Sequence, residues 1–184
     1  STKLGEDRMP YDVMLILNRF FLEMSEALKL TNGHYANFNG DGLMALYGLE
    51  SGYKAGCREA IAGAVEMHRR MDRLNRSFES ELGRKLRIGV GVHSGDAIVG
   101  SMGPPTTPIV SSIGDNVNVA ARLESLTKDF ECGIVVSAAT AETAGVDLSD
   151  FPRHDAELRG RGETITIFTL PDNADPFAEE KMFA

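Results

Sequence analysis

The stretch Leu86-Arg-Ile-Gly-Val-Gly-Val-His-Ser-Gly95 alternates apolar residues with Arg, Gly and His. A period of two indicates a half-buried strand, because successive side chains of a strand point to opposite faces. The second face carries bare glycines at Gly89 and Gly91, which would let another backbone or a ligand come close. We therefore predict a strand over 86–92, followed by a turn at Gly95-Asp96.

Helix and strand patterns alternate on both sides of this strand. Before it, we predict a helix over 10–31, a hairpin of Tyr35–Phe38 with Leu43–Tyr47, and a helix over 53–81. After it, we predict strands over 97–101 and 109–113, a helix from Asp115 (its N-cap) to about 128, a strand over 133–137, a short helix near 138–144, and strands over 153–159 and 164–170. This order predicts an α+β fold, in which helices pack on a mostly antiparallel sheet.

The two long predicted helices differ in the faces that they present. Helix 10–31 has an apolar stripe that begins at Met14 and is so broad that we expect it to be covered on more than one side. Helix 53–81 carries four arginines between Arg69 and Arg76, and Glu66 lies four residues before Arg70. Pairs with that spacing predict a solvated, charged face rather than a nucleic-acid site.

Length and charge exclude several classes of protein. The chain has 184 residues, which fits one domain, and a net charge of −8, which argues against binding to nucleic acid or to an anionic membrane. No apolar run approaches the ~20 residues that a bilayer span needs. The two cysteines cannot form a disulfide framework, so we expect a reducing compartment and a cytoplasmic location.

Three short segments carry side chains suited to one kind of site. Asp41 is predicted at the tip of the hairpin, where a carboxylate can hold Mg²⁺ beside substrate phosphates. Asn118 and Arg122 are four residues apart, so both project from one helix face and suit phosphate oxygens that gain charge during a displacement. Arg159 and Arg161, among glycines, make a compact cation site for a polyphosphate.

Each of these segments also has a purely structural explanation. Asp-Gly is an ordinary turn pair, and the arginines at 159 and 161 could be solvated charges on a β-turn. Arg122 could pair with Glu124 or Glu6 while Asp115 caps the helix. The residues by themselves leave both explanations open.

Two familiar binding motifs are excluded. The glycines of 89–95 lie inside a strand, so they are not a dinucleotide-binding loop. Residues 37–48 imitate the first half of a calcium-binding EF-hand loop, but Gly48 stands where the bidentate Glu belongs.

Three motifs together resemble one family. Asn37-Phe-Asn-Gly-Asp-Gly-Leu-Met-Ala-Leu-Tyr-Gly48 resembles the metal-aspartate hairpin of the class III adenylate/guanylate cyclase catalytic domain. Gly91-Val-His-Ser-Gly95 is similar to that family's glycine-marked central hairpin, and Gly114-Asp-Asn-Val-Asn-Val-Ala-Ala-Arg122 to its transition-state helix. The match runs from near residue 10 to about 170, with agreement in order and spacing.

The resemblance implies a fold, an activity and an assembly. The fold is a ferredoxin-like palm with a βαββαβ core plus C-terminal strands, which forms a head-to-tail homodimer with sites built from both protomers. The activity is conversion of ATP or GTP to the 3′,5′-cyclic nucleotide and pyrophosphate for intracellular signalling, with two Mg²⁺ or Mn²⁺ ions per site, and ATP is the expected substrate. Residues 1–170 would be the catalytic domain and 171–184 a C-terminal tail, in a longer protein with other domains attached.

The resemblance also implies roles for single residues. Asp41 takes the place of the second metal aspartate, Asn118 and Arg122 take the transition-state positions, and Arg159 stands where the family keeps a Lys that contacts the phosphates. The substrate base would meet the residues at positions 37 and 111.

Two departures from the family pattern leave an alternative open. Asn37 and Ser111 stand where many members have Lys and either Asp or Thr. The family's first metal aspartate is expected on a strand upstream of Ser1, so this sequence begins after it. The alternative is a catalytically silent, cyclase-like module that binds a nucleotide or a partner and regulates an attached domain.

Overall fold

The helices and strands follow the predicted order along the chain. The structure, a computed structural model, describes residues 10–39, 42–79, 83–106, 109–158 and 162–182. The helices are α1 (Pro10–Leu30), α2 (Tyr53–Ser77), α3 (Asp115–Asp129), α4 (Ala138–Ala144) and α5 (Ala178–Met182). The strands are β1 (His34–Asn39), β2 (Gly42–Leu46), β3 (Val90–Val92), β4 (Ile98–Met102), β5 (Ile109–Ile113), β6 (Ile134–Ser137), β7 (Arg153–Leu158) and β8 (Glu163–Leu170).

A four-stranded sheet in the order β3-β6-β8-β7 forms the centre of the molecule. β3 runs parallel to β6, whereas β8 is antiparallel to both β6 and β7. β1–β2 and β4–β5 are separate antiparallel hairpins. β6 is buried along its whole length, as its continuous apolar sequence Ile134-Val-Val136 favours. The predicted α+β class, with helices packed on mostly antiparallel strands, is therefore confirmed.

Helix α1 is covered on fewer sides than its sequence predicts. Met24 and Leu28 join the core with residues of α2, but Met14 is 60% exposed and Leu22 is 50% exposed. The stripe is broader than the surface that α2 and β1 offer, so its outer part remains on the surface. Met14 belongs to the predicted stripe, so part of that stripe is exposed in the single chain.

The arginine face of α2 is only partly solvated. Arg70 donates to Glu66 at 3.0 Å, as the spacing predicts, and also to Glu23 of α1 at 2.9 Å. The Arg70 side chain is 13% exposed. Arg70 therefore links the two helices, and its anionic partners are acidic side chains of the same chain.

The predicted strand over 86–92 is shorter in the structure, and the reason is a side chain. Asn75 of α2 accepts a hydrogen bond from the Leu86 N–H at 2.8 Å and donates to the Leu86 carbonyl at 2.9 Å. The backbone of Leu86 is thus satisfied without a neighbouring strand. Pairing with β6 begins only at Val90.

The glycine face of β3 is filled by the backbone of α3. A Cβ atom on Gly91 would lie 2.3 Å from the Glu124 nitrogen and 2.5 Å from the Ala120 oxygen. A Cβ atom on Gly89 would lie 2.0 Å from the Thr127 hydroxyl oxygen. The close approach that the bare glycines predict is therefore made by this chain's own helix, by its backbone at Gly91 and by the Thr127 side chain at Gly89.

We expect Gly91→Ala to destabilise the protein strongly, because the new methyl group would collide with backbone atoms of α3 that cannot move independently. Overpacking of this kind costs about 1–3 kcal/mol or more, and each kcal/mol lowers the melting temperature by roughly 2–4 °C at this size. The matched control is Gly100→Ala in β4, where no other atom lies within 4 Å of the added Cβ. Equal melting temperatures for the two variants would contradict this packing.

Residues 171–182 lie against α2. Ala174 and Phe177 pack on the core cluster that contains Ile61, and the Arg58 guanidinium stacks 5.0 Å from the Phe177 ring centroid. Asp175 pairs with Arg69 of α2 at 2.5 Å. Burial raises the pKa of the Asp175 carboxyl group, but hydrogen bonds from Lys181 and from the Phe177 N–H, together with the charge of Arg69, outweigh burial and lower that pKa below its ordinary value. The segment after β8 is thereby attached to the domain by apolar and charged contacts.

Among the described helices, none is long and apolar enough to cross a membrane.

Candidate active site

An open pocket of about 310 Å³ lies where β5 passes into α3. It is lined by Ser112, Ile113, Gly114, Asp115, Val117 and Asn118. Gly114 connects β5 to α3 with φ 151° and ψ 170°, a backbone conformation that residues with a Cβ atom rarely adopt. The helix therefore starts abruptly, and its first residues face the pocket.

The cap of α3 differs from the prediction. Gly114 is the N-cap, and Asp115, predicted as the cap, is the first residue of the helix. Because glycine has no side chain, the N-cap residue itself makes no side-chain hydrogen bond to the first N–H groups of the helix. Asp115 in the first turn still interacts favourably with the positive end of the helix dipole.

Asn118 and Arg122 share one face of α3, as their spacing predicts. Asn118 is exposed and lines the pocket, and Arg122 lies one turn further along and is partly buried. The buried Arg122 Nε atom has no hydrogen-bond partner within the part of the chain that the structure describes. The pairing with Glu124 is not formed there, and Glu6 lies outside the described residues. A buried, unpaired guanidinium N–H is a strong donor for an anionic oxygen.

The two predicted base-contacting positions lie on neighbouring strands. Asn37 in β1 is paired with Met44 in β2, and the Met44 sulfur accepts a hydrogen bond from the Ser112 hydroxyl at 3.5 Å. Ser111 is the preceding residue of β5 and is paired with Gly100. Described residues of β1 and β5 are in contact, so positions 37 and 111 belong to two strands that pack against each other.

Asp41 and Arg159 lie outside the described residues, and only the strands that flank them locate them. Asn39 is paired with Gly42, so Asp41 belongs to the connection between β1 and β2. Leu158 is paired with Glu163, so Arg159 belongs to the connection between β7 and β8. Within the described ranges, no three His, Cys, Asp or Glu side chains form a group that could hold a metal ion.

The sheet topology locates the end of β7 and the start of β8. β8 pairs Ile167 with Ser137, the last residue of β6, and its earlier residues extend beyond that end. Leu158 and Glu163, the described residues on either side of 159–161, therefore lie at the end of the sheet where β3 and β6 finish. The N-terminus of α3 lies at the same end, since Asn116 contacts His93, the residue after β3.

Sequence reasoning did not single out His93 and Asn116. The His93 Nδ1 atom is 2.8 Å from the Ser137 hydroxyl, and its Nε2 atom is 3.0 Å from Asn116 Oδ1. Burial lowers the pKa of His93, and the hydrogen bond to the Asn116 oxygen only partly opposes that shift. The available signal was its place in the motif Gly91-Val-His-Ser-Gly95, directly after a buried strand.

Comparison with known proteins shows where this arrangement belongs. A family model described as "Adenylate and Guanylate cyclase catalytic domain" matches residues 1–171. The chain belongs to this family. The resemblance found in the three motifs is therefore confirmed over residues 1–171 of this 184-residue chain.

Two curated relatives are named as adenylate cyclases. Adenylate cyclase 1 of Rhizobium meliloti (strain 1021) is 27% identical over 169 residues, which is 92% of this chain and 25% of that protein. The adenylate cyclase of Anabaena cylindrica is also 27% identical, over 92% of this chain and 34% of that protein. The cyclase domain thus spans about a quarter to a third of the length of these relatives.

Two solved structures share the fold closely. The guanylyl cyclase Cya2 is 26% identical with a TM-score of 0.80, over 91% of this chain and 84% of that one. The adenylyl cyclase CyaB from P. aeruginosa is 25% identical with the same TM-score of 0.80, over 95% of this chain and 90% of that one. The family is one of lyases that form cyclic nucleotides and generally use a divalent metal. Because similar structures carry both names, the choice between ATP and GTP has to come from the residues of this cyclase domain.

Proposed function

We propose that this cyclase domain converts ATP to 3′,5′-cyclic AMP and pyrophosphate for intracellular signalling, with GTP as the second candidate substrate. The observation that carries the proposal is the unpaired, buried Nε atom of Arg122 on the α3 face that Asn118 shares. That face starts at an open pocket with no side-chain cap, as a site for a nucleoside triphosphate requires. Residues 1–170 would form this catalytic domain.

The reaction is an intramolecular phosphoryl transfer. The ribose 3′ oxygen forms a bond to the α-phosphorus, the bond from that phosphorus to the bridging oxygen breaks, and pyrophosphate leaves with that electron pair. The proton of the 3′-hydroxyl is lost to solvent or to a substrate phosphate. Arg122 would donate to the α-phosphoryl oxygens as they gain charge, and Asn118 would orient the ribose. Arg159 would bind the two phosphates that leave as pyrophosphate.

The metal ligands proposed are carboxylates. Asp41 would hold Mg²⁺ or Mn²⁺ together with an aspartate expected on the strand before Ser1, and hard carboxylate oxygens are the ligands that these ions prefer. When bound, two such ions lower the pKa of the attacking hydroxyl and neutralise charge on the leaving oxygens. The pairing of Asn39 with Gly42 supports this role, because the strand ends on either side of Asp41 lie next to each other.

A homodimer with shared sites is also proposed. The β4–β5 hairpin exposes large apolar side chains: Ile98 is 77% exposed, Ile113 55% and Met102 48%. A surface with several such residues in one hairpin supports a protein contact. In a two-fold dimer of this kind, Asp41 of one protomer would face Asn118 and Arg122 of the other.

We expect ATP to be preferred over GTP. Adenine offers a donor at N6 and an acceptor at N1, and an amide such as that of Asn37 can serve both, whereas the donors of guanine are bound best by a carboxylate. The measurement is competition between the two nucleotides for one preparation, with Mg²⁺ or Mn²⁺ and with detection of each cyclic product. Equal or greater turnover of GTP would contradict the preference.

A silent, nucleotide-binding module remains the second candidate, favoured by the departures at Asn37 and Ser111. The assay distinguishes the two, provided that the protein includes the strand expected before Ser1. Metal-dependent formation of cyclic nucleotide supports the enzyme. Binding of the triphosphate without turnover in either metal supports the module and ends the catalytic proposal.

A further inference from the structure

His93 lies at the centre of a set of polar contacts that joins β3 to α3. It follows β3 directly and contacts Ser137 at the end of β6 and Asn116 in the first turn of α3. The Asn116 amide nitrogen also donates to the Asp96 carbonyl at 2.9 Å. The loop after β3 is therefore bound twice to the first turn of the helix that carries Asn118.

The contacts continue into the interior. Ser137 and Thr140, both fully buried, have their hydroxyl oxygens 2.6 Å apart, and Thr140 is 2.8 Å from the Ser94 hydroxyl. Tyr53, the first residue of α2, donates to Ser94 at 3.2 Å. Because buried hydroxyl groups need hydrogen-bond partners, each of these contacts fixes the orientation of the next hydroxyl group.

One arrangement of protons satisfies the whole set. The Asn116 nitrogen donates to the Asp96 carbonyl, so the Asn116 oxygen faces His93 and accepts a hydrogen bond from the Nε2–H group. A neutral imidazole then has only an acceptor at Nδ1, so Ser137 donates to it and accepts from Thr140. His93 is thus held as the neutral tautomer with its proton on Nε2.

Gly95 supports this contact independently. A Cβ atom at Gly95 would lie 2.3 Å from the Asn116 amide nitrogen, and its φ of 158° is already unfavourable for other residues. The loop can close over Asn116 only because position 95 is glycine. The sequence His93-Ser-Gly95 therefore supplies both the hydrogen bond and the space that it needs.

We propose that His93 is a positioning residue of the cyclase site, which holds the first turn of α3, and hence Asn118 and Arg122, through the Nε2–Asn116 hydrogen bond. The inference rests on the proposed function for its catalytic consequence. Asn116 occupies the first turn, Asn118 is two residues further on and Arg122 one turn beyond it, so a shift of the first turn would move both. A displacement of 1 Å at such groups can reduce turnover about 100-fold.

The test uses two amides that each imitate one ring nitrogen. In His93→Gln the side-chain amide reaches the position of Nε2 and can still donate to Asn116, whereas in His93→Asn it reaches only the position of Nδ1 and keeps Ser137. We expect His93→Asn to lower kcat by about tenfold to 100-fold with KM nearly unchanged, and His93→Gln to stay close to the wild type. Melting temperatures serve as the control, since each variant loses one of two hydrogen bonds.

The outcomes separate this inference from the proposed function. Equal losses of kcat in both variants, or losses that follow only the melting temperature, would overturn the positioning role while leaving the cyclase assignment intact. Nitrogen NMR of the wild-type imidazole, which should show the proton on Nε2, does not depend on turnover. A wild-type protein without cyclase activity would overturn the proposed function. In that case the positioning role is still decided by the amide resonances of 114–118, which should shift in His93→Asn and not in His93→Gln.

Discussion

Replacing Arg122 by Ala is expected to lower kcat by about 10²- to 10³-fold, because loss of one donor to a charge that develops in the transition state has an effect of that size. KM should change little, since the interaction strengthens only as the phosphoryl group gains charge. Stability should also change little, because the Arg122 Nε has no partner among the described residues whose loss would cost free energy.

The control for this prediction is Arg122→Lys. A lysine keeps the charge but lacks the planar fork of donors, so its kcat should lie between those of the wild type and Arg122→Ala. Both variants have to melt near the wild-type temperature for the comparison to be valid. Unchanged turnover in a folded Arg122→Ala protein would remove Arg122 from the proposed site.

A mixture of Asp41→Ala and Arg122→Ala proteins is expected to regain activity that neither has alone. If each site takes Asp41 from one protomer and Arg122 from the other, every heterodimer has one intact site and one site that lacks both groups. Random exchange should then restore about a quarter of wild-type activity, and purified heterodimers about half. Both proteins have to include the strand expected before Ser1.

The control for the mixture is a demonstration that the subunits exchange, for example by energy transfer between labelled protomers. Asp41→Ala should fold normally, because the glycines on both sides of the turn are retained. Absence of recovery despite exchange would mean that each site is built within one chain. Recovery would support the shared-site dimer and the role of Asp41 together.

The sequence by itself was sufficient for features that depend on near neighbours. The apolar period, the turn residues and the glycines predicted α2, α3, α4 and the hairpin of β1 and β2 to within a few residues. The spacing of Asn118 and Arg122 placed them on one helix face, because four residues are about one turn wherever the helix lies in the fold. The motifs were also sufficient to recognise the cyclase family, which the match over residues 1–171 confirmed.

Only the tertiary structure could show which distant groups meet. It shows that Asn75 replaces a strand partner at Leu86, that Arg70 joins α1 to α2, and that α3 fills the face left by Gly91. It also shows His93 bonded to Asn116 and Ser137, residues 23 and 44 positions away. A local sequence pattern indicates that a glycine leaves room for a neighbouring group and that a buried imidazole needs hydrogen-bond partners. Which backbone and which side chains answer those requirements depends on strand pairing and helix packing across the whole chain, and no short stretch of sequence contains that information.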